Sequence, residues 1–430
     1  MIGTRRHLRD FYQSHPFLRD ILTLMVGTMI SQLIPIIISP LLTRIYRPED
    51  FGLFALYVAV TQMIAVIATA RYELAIMIPE KDEDAQNLLV LSIIITVIIT
   101  LTSFFIVWSF NSFICRLVGN TQLSKWLYFV PLSILFLGIF QALNYWFNRH
   151  KNYRIISFSK IMQAVVNAIT NLGLGIWRRG TFGLIVGLIL GQLTAAGMLS
   201  RKYYQLNSNE WRVVSRENIK RQAKLYSDFP KINSLHAFID ILQLSVVVFI
   251  ISVFFESTIV GFYALTLRVL KTPLNFIGKA VAQVFYQRAT ESYNKGYNLR
   301  KLVKKTIIRL AIISLPFFLI LFFFAPAIFS LVFGKEWVEA GHYTQILTPW
   351  LLLTFIYSPV SQIPLIVNKQ RIYLVLGFVY NLLIILIFFY AGYFQKNIYL
   401  GMYLLTGVMS VFLIILIIWL VKISKSKSKR

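Results

Sequence analysis

The sequence predicts an all-α polytopic membrane protein with about 12 transmembrane helices in two parallel six-helix repeats. Hydrophobic residues fill 57% of the 430 positions and charged residues only 14%, whereas soluble domains are about 45–50% apolar and about 25% charged. Apolar runs of about 20 residues, the length that crosses a bilayer core, occur twelve times. The basic residues also alternate between loops, as they do in membrane proteins of fixed orientation.

The first predicted span follows about twenty polar residues and lacks a small-residue cleavage site, so we expect it to be retained rather than removed as a signal peptide. The single cysteine, Cys115, excludes an internal disulfide and a multi-cysteine metal site. We expect no cofactor and no metal. In chain order the predicted spans are 20–42, 51–72, 87–110, 126–147, 155–177, 181–200, 228–254, 258–286, 306–331, 344–367, 371–392 and 397–421.

The distribution of positive charge predicts the orientation of the spans. Of the 43 Lys and Arg residues, 32 fall on the side of the N-terminus, 8 fall in the opposite loops and 3 lie inside span 8. This bias predicts that both termini are cytoplasmic. The net charge of +26 therefore reflects topology, and we expect no nucleic-acid partner. The basic tail is expected to contact anionic lipid of the bilayer.

An internal repeat relates the two halves of the chain. The segment "PEDFGLFAL" (48–56) resembles "STIVGFYAL" (257–265), and three further pairs follow in the same order with offsets that drift only from 209 to 220. An even number of spans per half gives both halves the same orientation. We therefore predict an N-terminal six-helix bundle over 1–200, a cytoplasmic linker over 201–227 and a C-terminal bundle with the basic tail over 228–430. Such halves are typical of alternating-access transporters.

Span 8 carries cations without a neighbouring acidic residue. On a helical wheel Asn275 and Lys279 lie about 20° on either side of Arg268, and Lys271 lies about 60° away. Arg268 and Lys271 fall about 15–20 Å into the span, where a cation costs about 2.5–3.5 kcal/mol and usually faces a cavity or the bundle interior. Lys279 lies nearer the cytoplasmic end. The stripe predicts an anion site suited to phosphate oxygens, because Arg binds them in a bidentate way and Lys supplies a point charge.

Span 7 offers one carboxylate, Asp240, at a similar depth. Asp240 pairs with Arg268 or Lys271, or it is a buried coupling site for protons or sodium with His236, which lies one turn earlier; both interpretations stay open. One carboxylate neutralises only one cation, so at least one positive charge remains for a ligand.

Charged residues also mark the ends of the first two spans. Arg44 and Arg47 follow span 1 at its outer end, where they are interfacial anchors or contacts for a passing anion. Arg71 and Glu73 lie at the cytoplasmic end of span 2, where they form an ion pair or gate the inner mouth. Polar and aromatic residues at the inner end of span 4, such as Gln141 and Asn144, suit a sugar.

Four segments resemble one family over the whole chain: "TRIYRPEDFGLFALY" (43–57), "RYELAIMIPEKDEDAQNLLVLS" (71–92), "YSDFP" (226–230) and "FYQRATE" (285–291). They are similar to the bacterial polysaccharide-biosynthesis flippases of the multidrug/oligosaccharidyl-lipid/polysaccharide exporter superfamily. The resemblance implies a V-shaped bundle, like that of the multidrug exporters, in the inner membrane. It also implies transfer of an undecaprenyl-diphosphate-linked glycan to the periplasmic leaflet for O-antigen, capsule or exopolysaccharide assembly, with H⁺ or Na⁺ as coupling ion and polysaccharide polymerase machinery as a partner.

Two alternatives have different requirements. A multidrug exporter of the same superfamily that carries cations needs an acidic or aromatic cavity, whereas the deep charges here are three positive and one negative. A membrane polymerase or ligase generally needs a large extramembrane loop with catalytic groups, whereas the outer loops here reach about fifteen residues. We therefore expect a transporter rather than an enzyme, with Arg268, Lys271, Lys279 and Asn275 binding the diphosphate.

Overall fold

A computed structural model describes residues 16–177, 180–206 and 214–425, without the side chains of 16–22, 243, 275, 276, 279 and 280. All regular secondary structure in these ranges is helical, which confirms the predicted all-α class. We number the twelve long helices α1 (Pro16–Ile45), α2 (Pro48–Ala65), α3 (Asp82–Val118), α4 (Val130–Arg149), α5 (Tyr153–Trp177), α6 (Phe182–Leu206), α7 (Ser234–Phe254), α8 (Ser257–Asn294), α9 (Leu299–Phe333), α10 (Val338–Val360), α11 (Gln370–Tyr393) and α12 (Ile398–Ile423).

Ten helices of the described chain are long and apolar enough to cross a membrane. The remaining two of our numbering, α2 and α8, carry charge that lowers their hydropathy. Helix α2 begins with Glu49 and Asp50 in its first turn, and α8 contains Arg268 and Lys271. The chain is a multi-pass membrane protein, and about twelve spans remain consistent with its helices.

Predicted span 2 ends earlier than expected. Helix α2 stops at Ala65 rather than near residue 72, and a four-residue helix, Tyr72–Ala75, follows after a turn. Ala70 and Arg71 adopt positive φ angles of 47° and 62°, a left-handed backbone that an α-helix does not contain. Hydrophobicity alone does not reveal this break, because the turn is as apolar as the helix.

The chain divides into two compact units. The first comprises Met1–Tyr46 with Leu53–Ser245, and the second comprises Arg47–Gly52 with Val246–Arg430. In the first unit α5 packs against α1 and α6, and α4 packs against α3 and α6. This unit also holds a ten-residue helix, Arg216–Leu225, which we call the linker helix. In the second unit α10 is central, because it packs against α8, α9 and α12.

The second unit contains a reciprocal contact between repeat-related residues. A Cβ atom on Gly52 would lie 1.9 Å from the Ser257 carbonyl oxygen, and a Cβ atom on Gly261 would lie 1.9 Å from the Pro48 carbonyl oxygen. The repeat pairs Gly52 with Gly261 and Pro48 with Ser257 at the same offset of 209. The contact of Gly52 with Ser257 is thus repeated by the equivalent residues, Gly261 and Pro48, as in a two-fold interface. Only glycine permits so close a backbone approach.

Candidate functional site

The cations of α8 lie well inside the helix. Arg268 and Lys271 follow the first residue, Ser257, by about 17 Å and 21 Å along the axis. Both side chains are half-buried. Arg268 makes no ion pair or hydrogen bond with any residue that the structure describes. In the described part of the second unit, no carboxylate lies within 4.0 Å of Arg268 or Lys271. No described residue of this unit therefore neutralises their charge.

Lys271 lies instead against an aromatic ring. Its Nζ atom is 5.0 Å from the centroid of the Trp350 ring, within the range of a cation–π interaction. Trp350 lies on α10 and is 3% exposed. Its Nε1 donates a hydrogen bond of 2.9 Å to the Tyr380 hydroxyl of α11. Trp350 of α10 thus contacts both Lys271 of α8 and Tyr380 of α11.

The hydroxyl group of Tyr380 contacts the Trp350 side chain, and a second hydroxyl contacts the Trp350 backbone. Thr354, one turn after Trp350, donates to the Trp350 carbonyl at 2.8 Å. Tyr357 lies a further turn on along α10. The cluster therefore combines cationic, aromatic and hydroxyl groups. These groups suit a ligand that carries both anionic oxygens and hydroxyls.

The other predicted members of the stripe share the helix backbone. Asn275 and Lys279 lie within α8, two and three turns after Arg268, so their placement on the same stripe follows from the helix geometry. Their side chains lie outside the described residues, and their contact with an anion stays a prediction.

Asp240 and His236 form a pair on α7 in the first unit. His236 Nδ1 lies 3.4 Å from Asp240 Oδ2, and the two side chains are 72% and 65% exposed. The pair therefore lies on a helix face that other residues of the protein leave uncovered, and its role as a coupling site stays a prediction. The pairing of Asp240 with Arg268 or Lys271 stays a prediction.

Arg71 and Glu73 form the expected ion pair beyond the end of α2. Arg71 Nη1 lies 3.3 Å from Glu73 Oε1, and Glu73 is 1% exposed. The Thr69 hydroxyl also donates to the Glu73 carboxylate. Burial raises the pKa of the Glu73 carboxyl from its ordinary value, while Thr69 and Arg71 act in the opposite direction. Arg71 lies in the left-handed turn after α2, and Glu73 lies in the four-residue helix that follows it.

Arg44 and Arg47 have exposed side chains. Arg44 lies in the last turn of α1, where a cation is favoured by the helix dipole. The Arg47 backbone N–H donates to Asp50 Oδ2 at 3.1 Å, a local contact at the start of α2. These positions are consistent with the anchor interpretation; a contact with a passing anion stays a prediction.

Sequence reasoning did not single out Trp350, whereas it named Gln141 and Asn144 of α4 as residues that suit a sugar. Trp350 lies twelve residues into α10, and a Trp at mid-span rather than at an interface is the signal that identifies it. On α4, Gln141 Oε1 and Asn144 Oδ1 are buried without a hydrogen-bond partner among the described residues. Buried acceptors without partners are costly and favour a ligand that donates hydrogen bonds.

Comparisons with known proteins agree on family and fold. A family model described as "Polysaccharide biosynthesis protein" matches residues 41–342. The structure is similar to an inward-facing multidrug resistance MATE transporter of the MOP superfamily, with a TM-score of 0.70 at 15% identity over 93% of this chain and 95% of that chain. It is also similar to the lipid II flippase MurJ in an inward closed conformation, with a TM-score of 0.72 at 13% identity over 93% and 87%. No curated protein matches by sequence.

Proposed function

We propose, from the premise that this chain belongs to the polysaccharide biosynthesis protein family, that it is a flippase for a lipid-linked oligosaccharide. Its substrate is an undecaprenyl-diphosphate-linked repeat unit, which it moves from the cytoplasmic to the periplasmic leaflet for O-antigen, capsule or exopolysaccharide assembly. The chain lies in the bacterial inner membrane with both termini in the cytoplasm. The halves over 1–200 and 228–430, joined by the linker over 201–227, alternate access between the two sides.

The observation that carries the proposal is the uncompensated charge of α8. Arg268 has no partner among the described residues, and Lys271 is held by an aromatic ring rather than a carboxylate. A midplane cation is expensive in a membrane protein unless it serves a ligand or an ion pathway. A diphosphate brings two or more negative charges, so it satisfies both cations at once. Asn275 and Lys279 extend the same stripe toward the cytoplasmic end of α8.

The glycan has a separate requirement for polar groups. Sugar hydroxyls donate hydrogen bonds, and Gln141 Oε1 and Asn144 Oδ1 present buried acceptors in the first unit. The lipid tail needs no site, because it remains compatible with hydrocarbon. The same charges disfavour export of cationic drugs, since Arg268 and Lys271 repel a cationic substrate.

Transport against a concentration gradient requires a coupling ion, and we assign H⁺ or Na⁺ to this role. The exposed pair His236 and Asp240 is our candidate for the ion contact, because carboxylates and histidines within membrane spans mark ion and proton pathways. Polysaccharide polymerase machinery is the partner that consumes the exported unit. Arg71 and Glu73 remain our candidate for an inner gate.

A deletion strain tests the proposal through its surface polysaccharide. We expect Arg268→Ala and the double variant Arg268→Ala with Lys271→Ala to fail in complementation, and Arg268→Lys to restore part of the polymer. The matched control is Lys301→Ala, which removes an exposed cation from the start of α9 and should complement fully. Protein levels are matched by immunoblot. Full complementation by the double alanine variant would contradict the proposal that Arg268 and Lys271 bind the diphosphate.

A further inference from the structure

The contact between Lys271 and Trp350 solves an electrostatic problem of the site. An ammonium group deep in a membrane span needs a stabilising partner even when it is only half-buried, and the usual partner is a carboxylate. A carboxylate, however, would cancel the charge that an anionic substrate needs. Within the described part of the second unit Lys271 has the Trp350 ring, 5.0 Å from Nζ, in place of a carboxylate.

An indole face attracts a cation through its quadrupole and carries no net charge. The ammonium is therefore stabilised while the site keeps its full positive charge. An ammonium has three N–H donors, and one ring face does not occupy all three. The remaining donors stay available for phosphate oxygens.

The orientation of the Trp350 ring is fixed by α11. Its Nε1 donates to the Tyr380 hydroxyl at 2.9 Å, and the Tyr380 ring packs against Phe412 with centroids 5.8 Å apart. Trp350 itself is 3% exposed, so the ring has no room to turn away. Lys271 covers part of this ring, which disfavours a role for Trp350 as a stacking platform for sugar.

We propose that Trp350 is a positioning residue that holds the Lys271 ammonium at the anion site without neutralising it. The proposal rests on the proposed function, because it assigns the retained charge to the diphosphate of the substrate. Tyr380 sets the angle of the indole and so acts on Lys271 through Trp350.

The test measures binding of undecaprenyl diphosphate to the full-length protein in lipid nanodiscs. Trp350→Leu removes the ring, and we expect affinity to fall about 3- to 30-fold, the range of a cation–π interaction. Trp350→Phe keeps a weaker ring and should lose less. Trp350→Glu supplies a carboxylate to Lys271, so the protein should remain folded and bind as weakly as Lys271→Met. Melting temperatures report folding for every variant.

A double-mutant cycle separates a positioning role from a general packing role. In the Lys271→Met background, Trp350→Phe and Trp350→Leu should cause no further loss of affinity, because the residue they position is absent. An equal loss in both backgrounds overturns the proposal. Binding of Trp350→Glu at the wild-type level also overturns it.

A ligand-free measurement distinguishes failure of this proposal from failure of the proposed function. Reductive ¹³C-methylation labels the lysines, and the Lys271 signal is assigned by its loss in Lys271→Arg. We expect an upfield ring-current shift in the wild type that disappears in Trp350→Leu. If the wild type shows this shift but binds no undecaprenyl diphosphate, the proposed function is wrong. The assignment of the Lys271 charge to the substrate diphosphate is then wrong as well. If the shift is absent, the Trp350 proposal alone is overturned.

Discussion

Replacing Gly52 by alanine tests the reciprocal contact between the starts of α2 and α8. The new methyl group would lie 1.9 Å from the Ser257 carbonyl oxygen, whereas ordinary contact begins near 3.4 Å. The two backbones must therefore separate by about 1.5 Å, and backbone atoms have no rotamer that relieves the clash. Overpacking of this kind costs about 1–3 kcal/mol. For a unit of roughly 200 residues this predicts a fall in melting temperature of about 2–12 °C.

The assay is thermal unfolding of the purified protein in one detergent, followed by tryptophan fluorescence. Gly261→Ala should produce a similar loss, because its methyl group meets the Pro48 carbonyl oxygen at the same distance. The double variant should lose less than the sum, since a single separation relieves both clashes. Gly377→Ala is the control, as its Cβ has no atom within 4 Å. A melting temperature for Gly52→Ala equal to that of this control refutes the reasoning.

Two further predictions concern the first unit. Asp84 Oδ1 accepts hydrogen bonds from Arg221 at 2.9 Å and from Gln222 at 2.5 Å. Asp84→Ala removes both bonds, and a loss of roughly 1.5 kcal/mol should speed amide hydrogen exchange in the linker helix about tenfold or more. Unchanged exchange rates would contradict this prediction. The buried Tyr46 hydroxyl donates to the Asn171 carbonyl at 2.6 Å, so Tyr46→Phe should lower the free energy of unfolding by about 0.5–1.5 kcal/mol. Thermal unfolding checks this, and an unchanged melting temperature would show that the bond contributes nothing.

Most of the helical architecture follows from the sequence, because long apolar runs leave the backbone no alternative to a helix in hydrocarbon. The prediction for span 8, residues 258–286, matches the start of α8 but not its end at Asn294. The extra residues are polar, so hydropathy marks the membrane boundary rather than the helix end. Span 2 shows the opposite error, since the left-handed turn at Ala70 and Arg71 interrupts an apolar run.

The site was predicted in part. The cost of burying charge identifies Arg268 and Lys271 from the sequence alone. Their surroundings depend on which helices pack together, and no local pattern places Trp350 of α10 beside Lys271 of α8. The depth of Asp240 along α7 can be predicted from the sequence. The exposure of its helix face cannot, because it depends on which helices pack beside α7.

The affinity of the purified protein for undecaprenyl diphosphate in nanodiscs tests the central claim most directly. Removing one charged donor from a phosphate site costs about 1.5–3 kcal/mol, so Arg268→Gln should weaken binding about 10- to 150-fold. Lys301→Gln, at the exposed start of α9, should leave binding unchanged. Equal affinities for the wild type and Arg268→Gln would contradict the assignment of the α8 cations to the diphosphate.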